Sequence, residues 1–165
     1  MRQIKGIILL TIVLTAVWLL LTGSFAAEEL IVGGFVLALS LILFRRYYEL
    51  FGGLRFSLKA LALLPAYLIL FVWELIKSNI DVASRVLRPS LPINPGIVKV
   101  KTDLKSDVGK LVLANSITLT PGTLTIDVDD DFLYIHWIDV KDSSPEAAQT
   151  RISRRFEGLL KEIVE

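Results

Sequence analysis

The sequence predicts an α-helical membrane anchor, a short transmembrane hairpin plus a third apolar helix, followed by a small α+β domain of ferredoxin-like kind. Three observations carry that expectation. Of 165 residues, 53% are apolar and 21% charged, more apolar than a water-soluble domain of this size needs for one core. The apolar residues gather in three runs before residue 75, whereas later ones alternate with charged residues in strand and helix periods. Charge divides the same way: residues 1–88 hold 9 Lys and Arg against 5 Asp and Glu, and residues 89–165 hold 9 against 12. The organisation is therefore read as a membrane anchor region over 1–88, a Pro-rich linker over 89–96 and a cytoplasmic α+β domain over 97–165.

The first run, residues 6–27, has 22 residues without a charge. At about 1.5 Å per residue, a helix of that length crosses a hydrocarbon layer of about 30 Å. The second run, 30–44, has only 15 uncharged residues, so Arg45, Arg46, Tyr47 and Tyr48 extend it by snorkelling or by sitting at the interface. Glu28 and Glu29 separate the two runs, which predicts a tight antiparallel hairpin, and Gly33 and Gly34 permit close approach of another helix. Arg2 and Lys5, the apolar stretch and the small residues at 23–27 also imitate a cleavable leader. The length of the uncharged run and the second run close behind it favour a retained hairpin.

The third run, 60–73, contains Pro65 and continues as an apolar pattern through Leu75, Ile76, Ile80, Val82 and Val86 among charged residues. It reads as a helix leaving the membrane. Arg2, Lys5, Arg45, Arg46, Arg55 and Lys59 belong on the cytoplasmic side by the positive-inside rule. If the third run spans, Lys77, Arg85 and Arg88 lie outside; if it is interfacial, they stay inside. Three spans with an external N-terminus form the other arrangement, and both leave the C-terminal domain in the cytoplasm. Glu74 closes this run, where a carboxylate at membrane depth is an ion-path candidate; its terminal position and its i,i+3 spacing to Lys77 favour a plain interfacial pair.

After the prolines at 89, 92 and 95, Val98, Val100, Thr102 and Leu104 alternate with charged residues and predict a strand. Asp107 is placed as the cap of a helix carrying Val108, Leu111 and Val112 to Leu119, which Pro121-Gly122 ends. Residues 123–128 and 132–140 alternate on either side of Asp129, Asp130 and Asp131, predicting a hairpin. Ser144 and Pro145 start one helix with Ile152, Phe156, Leu159, Leu160 and Ile163 on a face. The order is β-α-β-β-α, a ferredoxin-like arrangement lacking a last strand, whose free edge would need a partner.

The chain has no Cys and one His, which excludes disulfides, thiolate metal sites and cysteine nucleophiles and speaks against a histidine-rich metal site. A net charge of +1 without a basic run argues against nucleic acid. The three consecutive aspartates point in divergent directions and lack EF-hand spacing, so they read as a solvated turn. His136, beside Trp137, reads as a packing or hydrogen-bonding residue. No phosphate loop, nucleophile elbow or zinc motif is present. The expectation is a protein that is no enzyme, with no catalytic, cofactor-binding or metal site.

The segment 113–128, LANSITLTPGTLTIDV, sets Thr118, Thr120, Thr123 and Thr125 around a Pro-Gly turn, where hydroxyls can tie a helix end to the next strand. Gly122 is expected at positive φ. Thr120, Pro121, Gly122 and Thr123, followed by His136-Trp137 and preceded by the apolar region and Pro-rich segment, resemble the E subunit of the multisubunit Mrp (Mnh) type sodium/proton antiporter over nearly the whole chain. The resemblance implies an accessory, non-catalytic subunit of a hetero-oligomeric monovalent cation/proton antiporter in the plasma membrane. Its implied partners are the other subunits, including large ones similar to the proton-pumping membrane subunits of respiratory complex I, together with membrane lipid. Thr120, Pro121, Gly122 and Thr123 are carried over as an assembly or folding motif without catalytic role. The other readings are a free-standing membrane-tethered binding or regulatory module and a direct ion-conducting role for Glu74.

Overall fold

The two N-terminal runs form α1 (Arg2–Thr22) and α2 (Ala27–Leu43) in a computed structural model that describes residues 2–48, 57–141 and 144–165. Glycine at 23, with φ +60°, ends α1 in the left-handed region that other residues avoid. Glu28 and Glu29 occupy the first turn of α2, where carboxylates meet the positive end of the helix dipole. The two helices approach closely at Trp18. Its indole donates to the Glu29 carbonyl at 3.1 Å, and a Cβ at Gly33 would stand 2.5 Å from the indole nitrogen. The close approach expected of the glycine pair is thus made at Gly33 by α1 itself, while Gly34 faces open space. A short 3-10 turn, Arg45–Tyr47, follows α2, and the Tyr48 hydroxyl donates back to the Leu41 carbonyl. Arg55 lies outside the described residues.

The chain divides into compact units Met1–Leu54 and Arg55–Glu165. The second unit opens with α3 (Leu58–Val86), 29 residues that contain Pro65 without being ended by it. Ser57 caps it, its hydroxyl accepting from the Ala60 N–H at 2.9 Å. Then follow β1 (Gly96–Lys101), α4 (Asp107–Leu119), β2 (Thr123–Asp129), β3 (Phe132–Trp137), α5 (Pro145–Ile152) and α6 (Arg154–Val164). The sheet order is β1-β3-β2 with both pairs antiparallel, so β1 and β2 run parallel on either side of β3. This is the split β-α-β of a ferredoxin-like sheet with the fourth strand missing beside β1.

Register places Val98 opposite Ile135 and Val100 opposite Leu133, and these four are buried with Leu104, Leu113, Ile117 and Leu160. The other face pairs Ile97 with His136 and Lys99 with Tyr134; there the Lys99 ammonium sits 3.9 Å from the Phe132 ring centroid. Glu157 of α6 is buried and accepts from the Thr102 hydroxyl at 2.6 Å and from the Asp103 N–H, closing the end of β1 against α6. Asp130 turns the hairpin with φ +49°, a conformation that Asp tolerates better than most residues. Asp131 meets Lys105 at 2.9 Å and Lys110 at 3.2 Å, and these hydrogen-bonded cations hold its carboxyl below the usual carboxylate range.

Three local expectations shift. The cap of α4 is Ser106, accepting from Gly109 at 3.1 Å, with Asp107 inside the first turn, because a hydroxyl at 106 reaches the free N–H groups one residue earlier. The strands are shorter than the alternation, ending at Lys101 and Trp137. The last helix is two, α5 and α6, meeting at buried Ser153 with φ −103°.

Gly33→Ala should push the Trp18 ring off α2 and lower the thermal midpoint of the detergent-solubilised chain by a few degrees, about 1 kcal/mol of lost packing and hydrogen bonding. Gly34→Ala, with open space at its Cβ, should leave the midpoint within a degree.

Candidate functional site

Hydroxyls and a glycine build the turn after α4. Thr120 donates to the Ser116 carbonyl at 2.7 Å, and Thr123 donates to the carbonyls of Ile117 and Thr120 at 2.7 and 2.9 Å. Thr118 accepts from the Thr125 N–H, and Thr125 donates to the Ala114 carbonyl, both at 3.1 Å. Thr120 and Thr123 thus satisfy carbonyls at the helix end, while Thr118 and Thr125, one accepting and one donating, stitch α4 to β2. Pro121 and Gly122 are the two central residues of the turn, Thr123 N–H donating to the Thr120 carbonyl at 3.3 Å. Gly122 has φ +91°, as a turn with proline first and glycine second requires. Its carbonyl accepts from Ile138 at 2.9 Å. A Cβ there would lie 3.0 Å from Ile138 and 3.4 Å from Val82, so the turn is pressed between the end of β3 and α3.

On the other side of the same seam stands Glu74. Its side chain is 15% exposed, forms an ion pair with Arg155 of α6, and lies 3.8 Å from Lys77. One turn further along α3, Ser78 donates back to the Glu74 carbonyl at 2.7 Å. Near the helix end, Arg85 binds Asp81 with two nitrogens at 2.8 and 3.2 Å, Asp139 at 2.8 Å and the Pro92 carbonyl at 2.8 Å. One guanidinium therefore joins α3, the proline-rich segment and the chain after β3. Asn94 continues this tie, donating to the Ile138 and Val140 carbonyls at 3.0 and 2.7 Å.

Between these parts lies a cavity of about 540 Å3, lined by Glu74, Arg85, Gly122, Trp137, Asp139 and Arg155 among others. The structure thus brings Glu74, Thr120, Pro121, Gly122, Thr123 and Trp137 to one wall system. His136 is separated from them, since strand alternation turns it to the opposite sheet face, between Ile97 and Leu124. Arg85, Asp139 and Arg155 were not singled out as site residues from sequence. Only the Asp81–Arg85 spacing carried a signal, because the partners of Arg85 and Glu74 are 54 and 81 residues distant. Among the described residues no three His, Asp or Glu side chains converge as metal ligands. The chemistry the seam supports is cohesion: paired charges and saturated carbonyls that lock one helix to one turn.

The family model described as Na+/H+ ion antiporter subunit matches residues 11–163. The chain is 38% identical over 158 residues to the E subunit of the Na(+)/H(+) antiporter of Bacillus subtilis, covering 94% of this chain and 96% of that one. It is 37% identical over 165 residues to the E1 subunit of the Na(+)/H(+) antiporter of Staphylococcus haemolyticus, covering 96% and 97%. Among solved structures, it resembles a chain of the membrane-bound sulfane sulfur reductase, an archaeal respiratory membrane complex, with a TM-score of 0.81, 46% identity and coverage of 96% and 99%.

Gly122→Val combines a strained φ with contact against Ile138, and should destabilise by roughly 2 kcal/mol or more. The thermal midpoint of the full chain in detergent should fall by roughly 4–8 °C, with Gly122→Ala falling between it and the parent.

Proposed function

From the premise that the chain belongs to the family of Na+/H+ antiporter E subunits, we propose that it is an accessory, non-catalytic member of a multisubunit monovalent cation/proton antiporter. Its task is assembly or stability of the complex, and ion transfer runs through other, larger subunits. The chain is multi-pass in the plasma membrane, with the α+β layer in the cytoplasm. Gln3–Thr22 is long and apolar enough to cross a membrane, the apolar α2 packs back on it as the second arm of a hairpin, and the cations of residues 1–88 favour the cytoplasmic side.

The observation that carries the non-catalytic reading is the state of Glu74. A carboxylate that relays ions has to release one partner for another, whereas Glu74 is committed to Arg155 and flanked by Lys77, within a seam where Arg85 is likewise held by Asp81 and Asp139. The TPGT turn supports the same role, since its hydroxyls are consumed by carbonyls of the chain itself.

A second reading is favoured by the 46% identity to a chain of an archaeal respiratory complex: the same accessory role inside a larger respiratory membrane assembly. Pull-down of the tagged chain in mild detergent separates the two. Co-purification of antiporter subunits alone supports the first reading, and additional redox subunits support the second. A chain recovered alone removes both.

Glu74→Gln should reduce the abundance of the assembled complex while leaving cation/proton exchange per complex unchanged in inverted vesicles. Normal abundance with lost exchange per complex would assign Glu74 to the ion path.

A further inference from the structure

We propose that α3 lies in the plane of the membrane–water interface rather than crossing the bilayer, with its outward face covered by the lipid of one leaflet. The inference deepens the reading above, which supplies only which leaflet that is; the orientation of α3 follows from its own two faces.

The inward face is occupied along the whole apolar run. Lys59, at its start, pairs with Glu162 of α6, and Glu74, at its end, pairs with Arg155. Between them, the Tyr67 hydroxyl and the Ser116 hydroxyl form a hydrogen bond, and Tyr67 and Phe71 set their rings 6.2 and 6.5 Å from that of Phe156. As numbering rises on α3 it falls on α6, so the helices run antiparallel and α6 accompanies residues 59–74 throughout. A spanning α3 would therefore carry α6 into the hydrocarbon. That helix holds exposed Arg154, Arg155, Lys161 and Glu162, and hydrocarbon rejects charges that face it. An α3 lying in the interface keeps α6 in water.

The outward face fits a lipid surface. Leu61, Leu68, Ile69, Val72, Trp73 and Ile76 are all exposed, Ile69 at 71% and Trp73 at 61%. Between residues 58 and 76 the only charged residues are Lys59 and Glu74, one at each end of the stripe and each paired with α6. A bare apolar stripe of about 28 Å, at 1.5 Å per residue, is not left in water. Its borders complement anionic headgroups: the Lys59 and Lys77 side chains are 68% and 55% exposed. The sequence conflict over Lys77, Arg85 and Arg88 also disappears, because a helix lying in the interface leaves both its ends on one side.

The absence of cysteine in the chain makes the test direct. Single variants Leu61→Cys, Ile69→Cys and Ile76→Cys, in the assembled complex in native membrane, carry a nitroxide whose exposure to oxygen and to a water-soluble nickel chelate reports depth. The expected result is one shared shallow depth, about 5–10 Å below the headgroups. A depth maximum at Ile69 with shallower flanks would overturn the proposal in favour of a span, and shielding of all three from both reagents would overturn it in favour of a covering protein from the same complex. Glu146→Cys on α5, labelled by an impermeant maleimide in vesicles of known sidedness, tests the cytoplasmic placement separately. Labelling from the outside would reject that placement and leave the depth result to decide the orientation of α3.

Discussion

The packing of α3 along α6 is the constraint on which the C-terminal unit depends. A 29-residue helix whose outer side is apolar from Leu61 to Ile76 can join a charged α+β layer only if its inner side offers both ring surface and polar ends. Tyr67 and Phe71 supply the surface against Phe156, and Lys59 and Glu74 supply the ends. Ion pairs this exposed add little energy by themselves. Their contribution is register: they allow one position of α3 on α6, which sets where Val82 and Arg85 arrive, one turn and two turns beyond Ser78.

That arrival explains why the TPGT segment is built so tightly. Val82 stands against the space beside Gly122, and Ile138 closes the other side, so the turn is the point at which α4, β3 and α3 meet. Proline pre-sets the first central residue, glycine accepts positive φ at the second, and the threonine hydroxyls take up the carbonyls that α4 leaves open. A looser turn would displace Ile138 and, through Asp139, the Arg85 contacts with α3 and with the Pro92 carbonyl. The proline-rich segment is thereby tied to the layer it precedes.

The sheet shows the opposite character. Its inner face is filled by Val98, Val100, Leu133 and Ile135, while β1 forms an edge and the outer face carries Ile97, Leu124 and Ile126 exposed beside aromatic and lysine side chains. A three-stranded sheet with open edges and exposed apolar side chains on its outer face is characteristic of a protein that completes itself within a larger assembly, in keeping with the family.

Periodicity and composition determined the element order, the hairpin, the helix over the third run and the positive φ at Gly122, because these follow from neighbours close in sequence. The TPGT motif was legible for the same reason: every hydroxyl in it bonds within eleven residues. The cap at Ser106 and the break at Ser153 escaped the sequence because neighbouring residues offered equally good local signals. The long-range partners of Glu74 and Arg85, Arg155 and Asp139, could not be read at all. A carboxylate beside a lysine three residues on reads as a local interfacial pair until the fold brings Arg155 to it from 81 residues away, and such long-range pairing has no period to betray it. His136 and Trp137, adjacent in sequence, were parted by the alternation of one strand, and only the sheet's packing decided that Trp137 joins the seam while His136 faces away.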